Sequence, residues 1–321
     1  MARAPHEGDA LKTWSIRIVQ LALTVLVTWF IVDRVGLDWS EFQKLDPAAW
    51  QPHPIALAAS CTLLLLAMFM NAALWARVVR DLGGAHIPLK QAIPLVMIAN
   101  LGRYVPGKVW QLAGLATLAR ARGVRPITAT GAALLGQGLS VLAATAIGLG
   151  ALLTGPEWMR RWGLAAGVLL VLVVLFIAIP TSFRAGARLW FRLAKTEAPP
   201  QLDSVHGLRW VLLYALNWVG LALSFWILVA SFGVSIPIVP VASAFAAAYV
   251  GGYLFIPAPA GFGIRESLLI AFLTPHVGVA SAGALAVIAR IWTTGVELVP
   301  ATVFWIYHVT VSEADEGATH G

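Results

Sequence analysis

Long apolar runs separated by short polar segments constrain this chain more than any other feature of its sequence. A helix needs about 20 mostly apolar residues to cross a hydrocarbon core about 30 Å thick, where lipid satisfies no free backbone group. Because 59% of the residues are hydrophobic and only 12% are charged, a soluble domain is not expected. The pattern predicts an all-α fold, a polytopic transmembrane bundle of about six to eight membrane helices. Six runs are each predicted to form one spanning helix: 16–32, 55–76, 127–153, 163–180, 210–232 and 280–307.

Basic residues alternate between the two sides of this predicted bundle. Fourteen Lys or Arg lie at the start of the chain and in three segments that would share one side: 77–90, 120–125 and 184–209. The connections on the other side carry four: Arg34, Lys44, Arg160 and Arg161. Cytoplasmic loops carry an excess of Lys and Arg, so we expect a multi-pass protein of the inner (plasma) membrane with both termini in the cytoplasm. The pair Arg160 and Arg161 opposes this orientation.

Composition and motif content exclude several function classes. The basic residues, which give a formal charge of +7, form no patch, so no nucleic-acid partner is expected. The chain has a single cysteine, no catalytic motif and no histidines at metal-ligand spacing, so we expect no catalytic residue, metal, cofactor or enzyme activity. The first apolar run lacks a small-residue cleavage site and is expected to stay as an anchor. Four tryptophans near run ends are expected to be interface anchors: Trp14, Trp75, Trp210 and Trp305.

Two further apolar segments, 87–119 and 236–274, are broken at their middles by Pro, Gly and charge. Irregular backbone at membrane depth must be buried in protein or line a cavity. We therefore predict two re-entrant or broken helix pairs, the first reaching in from the cytoplasm and the second from outside. They indicate inverted repeats, 55–153 and 210–308, within one membrane domain (1–312) that precedes a polar tail (313–321), with a binding site near the midplane. Chance similarity between Ala- and Gly-rich sequences is the alternative.

The first break reads Asn100-Leu-Gly-Arg-Tyr-Val-Pro-Gly-Lys-Val-Trp-Gln111. A charge at the bilayer centre costs about 2.5 kcal/mol or more, which makes Arg103 and Lys108 functional candidates. Pro106 and Gly107 end one half-helix and free backbone amides at the start of the next. This arrangement favours an anion such as a phosphate. The alternative is that both cations snorkel to the cytoplasmic interface.

The second break reads Pro257-Ala-Pro-Ala-Gly-Phe-Gly-Ile-Arg-Glu266. Its end looks like the first turn of a half-helix, where the carboxylate of Glu266 suits the positive end of the helix dipole. Glu266 is expected to pair with Arg265 or with a cation across the site. An internally neutralised Arg265–Glu266 pair that only holds helices together is the alternative.

The last long helix carries Arg290 and Glu297 seven residues apart, about 10.5 Å along one face. They are too far apart to pair, so we predict Glu266 as the partner of Arg290. When the repeats are aligned with Ile87 opposite Ile236, and with a small gap before their last long helices, Arg290 falls opposite Gln137. Gln137 is the one amide side chain in the apolar run 127–153. A ligand role and a role as polar glue between helices fit these residues equally well.

The two motifs, Asn-x-x-Arg-Tyr-x-Pro-Gly-Lys-x-Trp and Pro-x-Pro-x-Gly-x-Gly-x-x-Glu, resemble those of the lysylphosphatidylglycerol synthase transmembrane region family. They occur in the expected order and spacing, and the resemblance covers most of the chain. It implies a flippase-like domain that moves aminoacylated phosphatidylglycerol between leaflets, while a separate soluble domain performs the aminoacyl transfer. Carried over position by position, it implies site roles for Asn100, Arg103, Tyr104, Pro106, Gly107, Lys108, Trp110, Pro257, Pro259, Gly261, Gly263 and Glu266.

Two departures from the family pattern change these expectations. The chain ends at Gly321 directly after its last helix, so a synthase domain and lysyl transfer are not expected. Gln137 stands where family members often have Glu, which argues against a proton-coupled role at that position.

The predicted function is a lipid flippase-like transporter for an anionic phospholipid or a polyprenyl-phosphate-linked lipid. Arg103, Lys108 and the half-helix ends would hold the headgroup phosphate, with Gln137, Arg265, Arg290 and Glu297 completing the predicted substrate-binding set. The first alternative is a non-transporting subunit whose partner is a glycosyltransferase or another cell-envelope enzyme that it anchors. A weaker alternative is a membrane-embedded transferase that uses Glu266 or Glu297 as acid or base.

Overall fold

The computed structural model describes residues 50–104, 109–154, 157–197, 199, 201–255 and 261–319, with side chains up to residue 307 except that of Trp158. Every regular element within these residues is helical, and five of the helices are long and apolar enough to cross a membrane. The predicted all-α membrane bundle is therefore confirmed. The predicted run 16–32 and Trp14 lie outside the described residues.

The helices are numbered here in chain order. They are α1 Pro54–Asp81, α2 Leu89–Asn100, α3 Val109–Arg120, α4 Pro126–Thr154, α5 Glu157–Ala178, α6 Pro180–Leu193, α7 Ser204–Ser231, α8 Ile238–Leu254 and α9 Ile264–Thr319. A short 3-10 turn, Leu101–Tyr104, follows α2. Helix α9 kinks at Gly278, where φ is 77°, and we call the part before the kink α9a (264–277) and the part after it α9b (279–319).

Helices α1 and α7 run antiparallel at the centre of the bundle. The backbone N–H of His53 donates to the carbonyl of Ser231 at 2.7 Å, which joins the start of α1 to the end of α7. At the opposite ends, the indole of Trp210 donates to Asp81 Oδ2 at 2.9 Å. Helix α7 begins six residues before the predicted run because the Asp203 side chain caps it, accepting hydrogen bonds from two backbone N–H groups.

Two of the predicted interface anchors are wrong. Trp75 and Trp210 are only 4% and 3% exposed, and both indoles donate hydrogen bonds inside the bundle. An indole N–H that already donates to a protein acceptor does not need a hydrogen bond at the membrane interface. Packing between helices therefore determined the position of these two side chains, although both lie near the ends of their apolar runs. Trp305, in contrast, is half-exposed.

The predicted broken segments each contain two short helical parts. Helices α2 and α3 fill the first, and α8 and α9a fill the second. The order of one long, two short and one long helix thus occurs twice, in α1–α4 and again in α7–α9b. Helix α8 packs against α4, and α2 packs against α9, so each broken segment contacts a long helix of the other half. Division of the chain into inverted repeats stays a prediction.

An aromatic cluster fills the space between α7, α8 and α9b. The rings of Phe225 and Phe245 stack with centroids 4.6 Å apart, and Trp292 lies 6.4 Å from Phe245. All three side chains are at most 5% exposed. Burial of such rings adds dispersion contacts that lipid matches poorly, so this cluster holds the second break against α9b.

Helix α5 lies at the edge of the bundle and is the most exposed of the five long helices. Its first turn carries the two arginines that oppose the predicted orientation. Glu157 contacts both of them, with Oε2 2.6 Å from Arg160 Nη2 and Oε1 3.6 Å from Arg161 Nε. One carboxylate therefore offsets part of their charge.

Candidate functional site

The end of the first break contacts the last long helix through a buried carboxylate. Arg103 Nη1 lies 3.1 Å from Glu297 Oε1, and the hydroxyl of Tyr104 donates to Glu297 Oε2 at 2.7 Å. The Arg103 contact is an ion pair without the alignment of a hydrogen bond. Glu297 is only 4% exposed, and a buried carboxylate without partners would be very costly. The first break thus supplies both partners that keep Glu297 in place.

The start of α9a forms a second charged contact with the same long helix. Glu266 Oε2 accepts a hydrogen bond from the backbone N–H of Gly263 at 2.7 Å, which is one half of a capping box. Glu266 Oε1 lies 3.4 Å from Arg290 Nη1. The predicted Arg290–Glu266 pairing is confirmed, as is the placement of Glu266 in the first turn of a half-helix.

Arg265 has a different environment from the other two arginines. Its Cζ lies 4.9 Å from the ring centroid of Phe245 and 6.0 Å from that of Tyr249. Within the described part of the chain, no carboxylate oxygen lies within 4.0 Å of its nitrogens, so the alternative Arg265–Glu266 ion pair is not formed. Contact with ring faces stabilises a cation without neutralising it.

Two glutamine side chains donate further hydrogen bonds at the breaks. The Gln111 side chain donates to Asn100 Oδ1 at 2.7 Å, which links the end of α2 to the start of α3. The Gln137 side chain donates to the hydroxyl of Tyr249 at 2.8 Å, which links α4 to α8. Gln137 therefore acts as polar glue between membrane helices in this conformation.

Two glycines let the backbone of each break approach closely. A Cβ on Gly102 would lie 2.6 Å from the backbone nitrogen of Gln111, so only glycine fits where the turn after α2 meets α3. Gly261 has a φ of +67°, and a Cβ there would lie 2.9 Å from the carbonyl oxygen of Gly252. The close approach brings the Arg103 turn and the start of α9a into contact with neighbouring helices.

The charges of the two breaks meet one face of α9b. Arg290 and Glu297 lie about two turns apart, which is about 10.5 Å along the helix axis. Glu266 from the second break pairs with Arg290, and Arg103 from the first break pairs with Glu297. With Arg265, this region of the described chain holds three guanidinium groups and two carboxylates.

The charged region is closed in this conformation. A cavity of about 10 Å³ lies among Arg265, Glu266, Arg290 and Thr293, room for about one water molecule. A larger, open cleft of about 320 Å³ lies between α2 and α3, with an apolar lining that includes Gly102, Trp110 and Gly114. Trp110 is 49% exposed at the start of α3. A headgroup would fit between the charges only after the side chains move.

The family profile of the lysylphosphatidylglycerol synthase TM region matches residues 17–301, which include both breaks and the whole of the charged region. The chain belongs to this family. It is therefore a multi-pass membrane protein of a lipid-related family. A search of the curated proteins gave no match.

The two family motifs lie partly within and partly outside the described residues. Pro106, Gly107 and Lys108 lie outside them, as do Pro257 and Pro259. The remaining predicted residues fall into two groups. One surrounds the first break and comprises Asn100, Arg103, Tyr104, Trp110 and Glu297; the other surrounds the second and comprises Gln137, Gly261, Gly263, Arg265, Glu266 and Arg290.

Sequence reasoning missed several residues of the site. Tyr249 contacts Gln137 and Arg265, and Phe245 lies under the guanidinium of Arg265. Gln111 is the last residue of the first break as defined above, but a hydrogen bond to Asn100, the first residue of that break, was not predicted. Tyr249 is one of two tyrosines in the mostly apolar α8, which was a usable signal, since a hydroxyl within a membrane bundle needs a partner. Phe245 gave no such signal among its apolar neighbours.

Proposed function

We propose that this protein is a lipid flippase-like transporter that moves an anionic phospholipid or a polyprenyl-phosphate-linked lipid between the leaflets of the plasma membrane. In this proposal it performs no covalent chemistry, both termini are cytoplasmic, and the two broken segments belong to inverted repeats. The observation that carries the proposal is the environment of Arg265 beside α9b. Its guanidinium lies against the rings of Phe245 and Tyr249, and no carboxylate oxygen of the described residues lies within 4.0 Å of its nitrogens. Arg103 and Arg290, in contrast, contact Glu297 and Glu266.

Charge balance supports an anionic substrate. A charge held in the membrane interior is expensive, and burial of an uncompensated cation is the most expensive arrangement. Arg265 is stabilised by two aromatic rings but has no carboxylate within 4.0 Å in the described residues. A headgroup phosphate would supply the missing negative charge and accept hydrogen bonds from the guanidinium fork.

The arrangement of the ion pairs supports movement between two sides. A phosphate that approaches from the first break competes with Glu297 for Arg103, whereas one that approaches from the second competes with Glu266 for Arg290. Both pairs are partly accessible, since the side chains of Arg103 and Arg290 are 36% and 20% exposed. The two ion pairs lie about 10.5 Å apart on one face of α9b. A phosphate that exchanges one arginine for the other would therefore move the headgroup along this helix.

The lipid tails need no polar path, because they remain in the bilayer during transport. The apolar cleft between α2 and α3 supports this, since Gly102 lines it and the next residue is Arg103. A hydrocarbon tail in this cleft would leave the headgroup beside the guanidinium.

The competing function is a membrane subunit that anchors a glycosyltransferase or another cell-envelope enzyme. Its specific support is that both carboxylates are already paired, which suits a static network that holds helices together. A static network does not require Arg265 to be cationic, so the two functions differ in what they demand of that residue.

The test is leaflet-to-leaflet movement of fluorescent lipids in proteoliposomes. The lipids are phosphatidylglycerol, its lysyl ester, a polyprenyl phosphate, and phosphatidylcholine as the zwitterionic reference. The variants are Arg103→Ala, Lys108→Ala, Arg265→Gln and Glu266→Gln, with Arg120→Gln as the matched control that removes an exposed cation at the end of α3.

We expect faster movement of one anionic lipid than in empty liposomes. Arg265→Gln should slow it roughly tenfold or more, because hydrogen bonds to charged groups contribute about 1.5–3 kcal/mol. Arg120→Gln should leave the rate unchanged. Folded protein that moves no lipid above the background would support the anchoring function instead, and movement that is insensitive to Arg265→Gln would remove Arg265 from the site.

A further inference from the structure

Helix α6 differs from the five spanning helices that the structure describes. It has 14 residues, about 21 Å of helix, which is too short to cross a hydrocarbon core about 30 Å thick. It follows the end of the spanning helix α5 after one residue, Ile179, and has a proline at its first position. Helix α6 therefore begins at a membrane boundary.

One side of α6 packs against the bundle. The ring of Phe183 lies 6.4 Å from that of Trp210 in α7, and the Trp190 ring covers Gly131 of α4. Phe191 is 5% exposed. These contacts determine which side of the helix faces outward.

Three arginines form a row on the outward side, so the expectation that the basic residues form no patch is wrong for this helix. Arg184, Arg188 and Arg192 are four residues apart, so they lie nearly one above another over about 12 Å, and all three are exposed. No carboxylate of the described residues lies within 4.0 Å of them. Like charges at this spacing repel each other and weaken an isolated helix. The row therefore costs the protein stability unless a negatively charged surface faces it.

The exposed apolar residues of α6 lie beside this row. Leu189 and Leu193 are 56% and 71% exposed, and helical geometry places them next to the arginines on the side away from the bundle. A basic sector adjacent to an exposed apolar sector is the pattern of a helix that lies in the membrane interface, with leucines in the acyl boundary and arginines among the headgroups.

We propose that α6 is an interfacial helix whose Arg184, Arg188 and Arg192 side chains bind the phosphate groups of anionic lipids in the adjacent leaflet. Guanidinium groups bind phosphate in bidentate fashion, and anionic leaflets attract basic residues near their surface. This inference does not rest on the proposed transport function, because the row lies outside the charged region of α9b. Its consequence is a local enrichment of anionic lipid beside the bundle.

The test is photocrosslinking in nanodiscs. The wild-type chain is reconstituted with phosphatidylcholine that contains a small fraction of phosphatidylglycerol with a photoreactive headgroup, and the labelled peptides are mapped. A parallel sample carries the same photoreactive group on phosphatidylcholine. The test variant combines Arg184→Gln, Arg188→Gln and Arg192→Gln; the control combines Arg120→Gln, Arg122→Gln and Arg125→Gln, which removes the same charge from the α3–α4 connection.

We expect phosphatidylglycerol to label α6 in the wild type and in the control. Labelling should fall roughly tenfold or more in the test variant, since each basic residue near an anionic surface contributes about 1 kcal/mol. A triple Arg→Lys variant should retain most of the labelling, because it keeps the charge. Equal labelling by the phosphatidylcholine probe, or undiminished labelling of the Gln variant, would overturn the proposal.

Stability separates this role from a structural one. If the arginines hold α6 in place, the Gln variant should unfold at a lower temperature in neutral detergent. If they serve only lipid binding, removal of the like-charge repulsion should leave the unfolding temperature equal or higher. Should the triple variant fail to fold, Arg188→Gln alone, at the centre of the row, should still reduce labelling severalfold.

Discussion

Tyr104 donates a hydrogen bond of 2.7 Å to Glu297, a residue 193 positions away in the sequence. Arg103, its neighbour in the chain, lies 3.1 Å from the other oxygen of the same carboxylate. Two adjacent residues of the first break thus hold the only carboxylate that α9b contributes to the charged region within the described side chains. The contact joins the first break to the second half of the chain.

The Glu297 carboxylate should matter more for stability than the Tyr104 hydroxyl. Glu297→Gln leaves the guanidinium of Arg103 without its counter-charge, a loss of about 3–5 kcal/mol for a fully buried pair and less here because Arg103 is 36% exposed. Tyr104→Phe loses one charge-assisted hydrogen bond, about 1.5–3 kcal/mol. Thermal unfolding in detergent measures both. The Arg103→Gln/Glu297→Gln double variant should be less destabilised than the sum of its single variants, and strict additivity would mean that the two side chains do not interact.

The two functions of Glu266 should separate in two substitutions. Glu266→Gln keeps an oxygen that accepts the Gly263 N–H but removes the charge opposite Arg290. Glu266→Ala removes both, and loss of a helix cap costs about 0.5–2 kcal/mol. We therefore expect unfolding temperatures in the order wild type, Gln variant, Ala variant. An Ala variant as stable as the Gln variant would show that the cap contributes nothing to α9a.

Gly102 should be intolerant of even one added methyl group. A Cβ there would meet the backbone at 2.6 Å, and a backbone contact cannot be relieved by a rotamer change. Gly102→Ala should lower the unfolding temperature by several degrees, consistent with overpacking costs of about 1–3 kcal/mol. The control is Gly138→Ala on α4, where a Cβ meets nothing within 4 Å. Since alanine favours helix, the control should be neutral or stabilising.

Filling the cleft between α2 and α3 should slow transport without unfolding the protein. A Cβ on Gly114 would touch only the Cα of Ala99, at 3.9 Å, and Gly114 lines the cleft, so we expect the side chain of Gly114→Leu to extend into the cleft. If a lipid tail occupies the cleft during transport, movement should slow while the unfolding temperature stays within a few degrees of wild type. Gly138→Leu adds the same side chain to an exposed position on α4 and serves as the control. Equal rates for the two variants would exclude the cleft from the lipid path.

The membrane architecture was predictable because insertion into lipid is decided locally. A stretch of about 20 residues can cross the lipid when it is apolar and satisfies its own backbone hydrogen bonds as a helix. This condition depends on the stretch itself and not on the rest of the chain. For the same reason Pro, Gly and charge at the centre of an apolar segment predicted two breaks, which the structure contains as α2 with α3 and α8 with α9a. The Arg290–Glu266 pair was also predictable from the sequence. An arginine within the membrane needs a carboxylate partner, and the apolar segments of this chain contain few carboxylates.

The remaining partnerships depended on which faces of the helices meet. No local pattern distinguishes Glu297 from Glu266 as the partner of Arg103, or indicates that Arg265 lies against Phe245 and Tyr249 instead of a carboxylate. Trp75 and Trp210 carried the sequence signature of interface anchors and are instead buried. One apolar helix face gains about as much from lipid contact as another. Which faces pack together is therefore determined by close packing and by polar contacts between helices. The sequence alone therefore determined which segments enter the membrane and where they are broken, and it indicated the Arg290–Glu266 pair. The packing of α9b against both breaks determined the rest: it brings Glu297 to Arg103, and it leaves Arg265 against two aromatic rings.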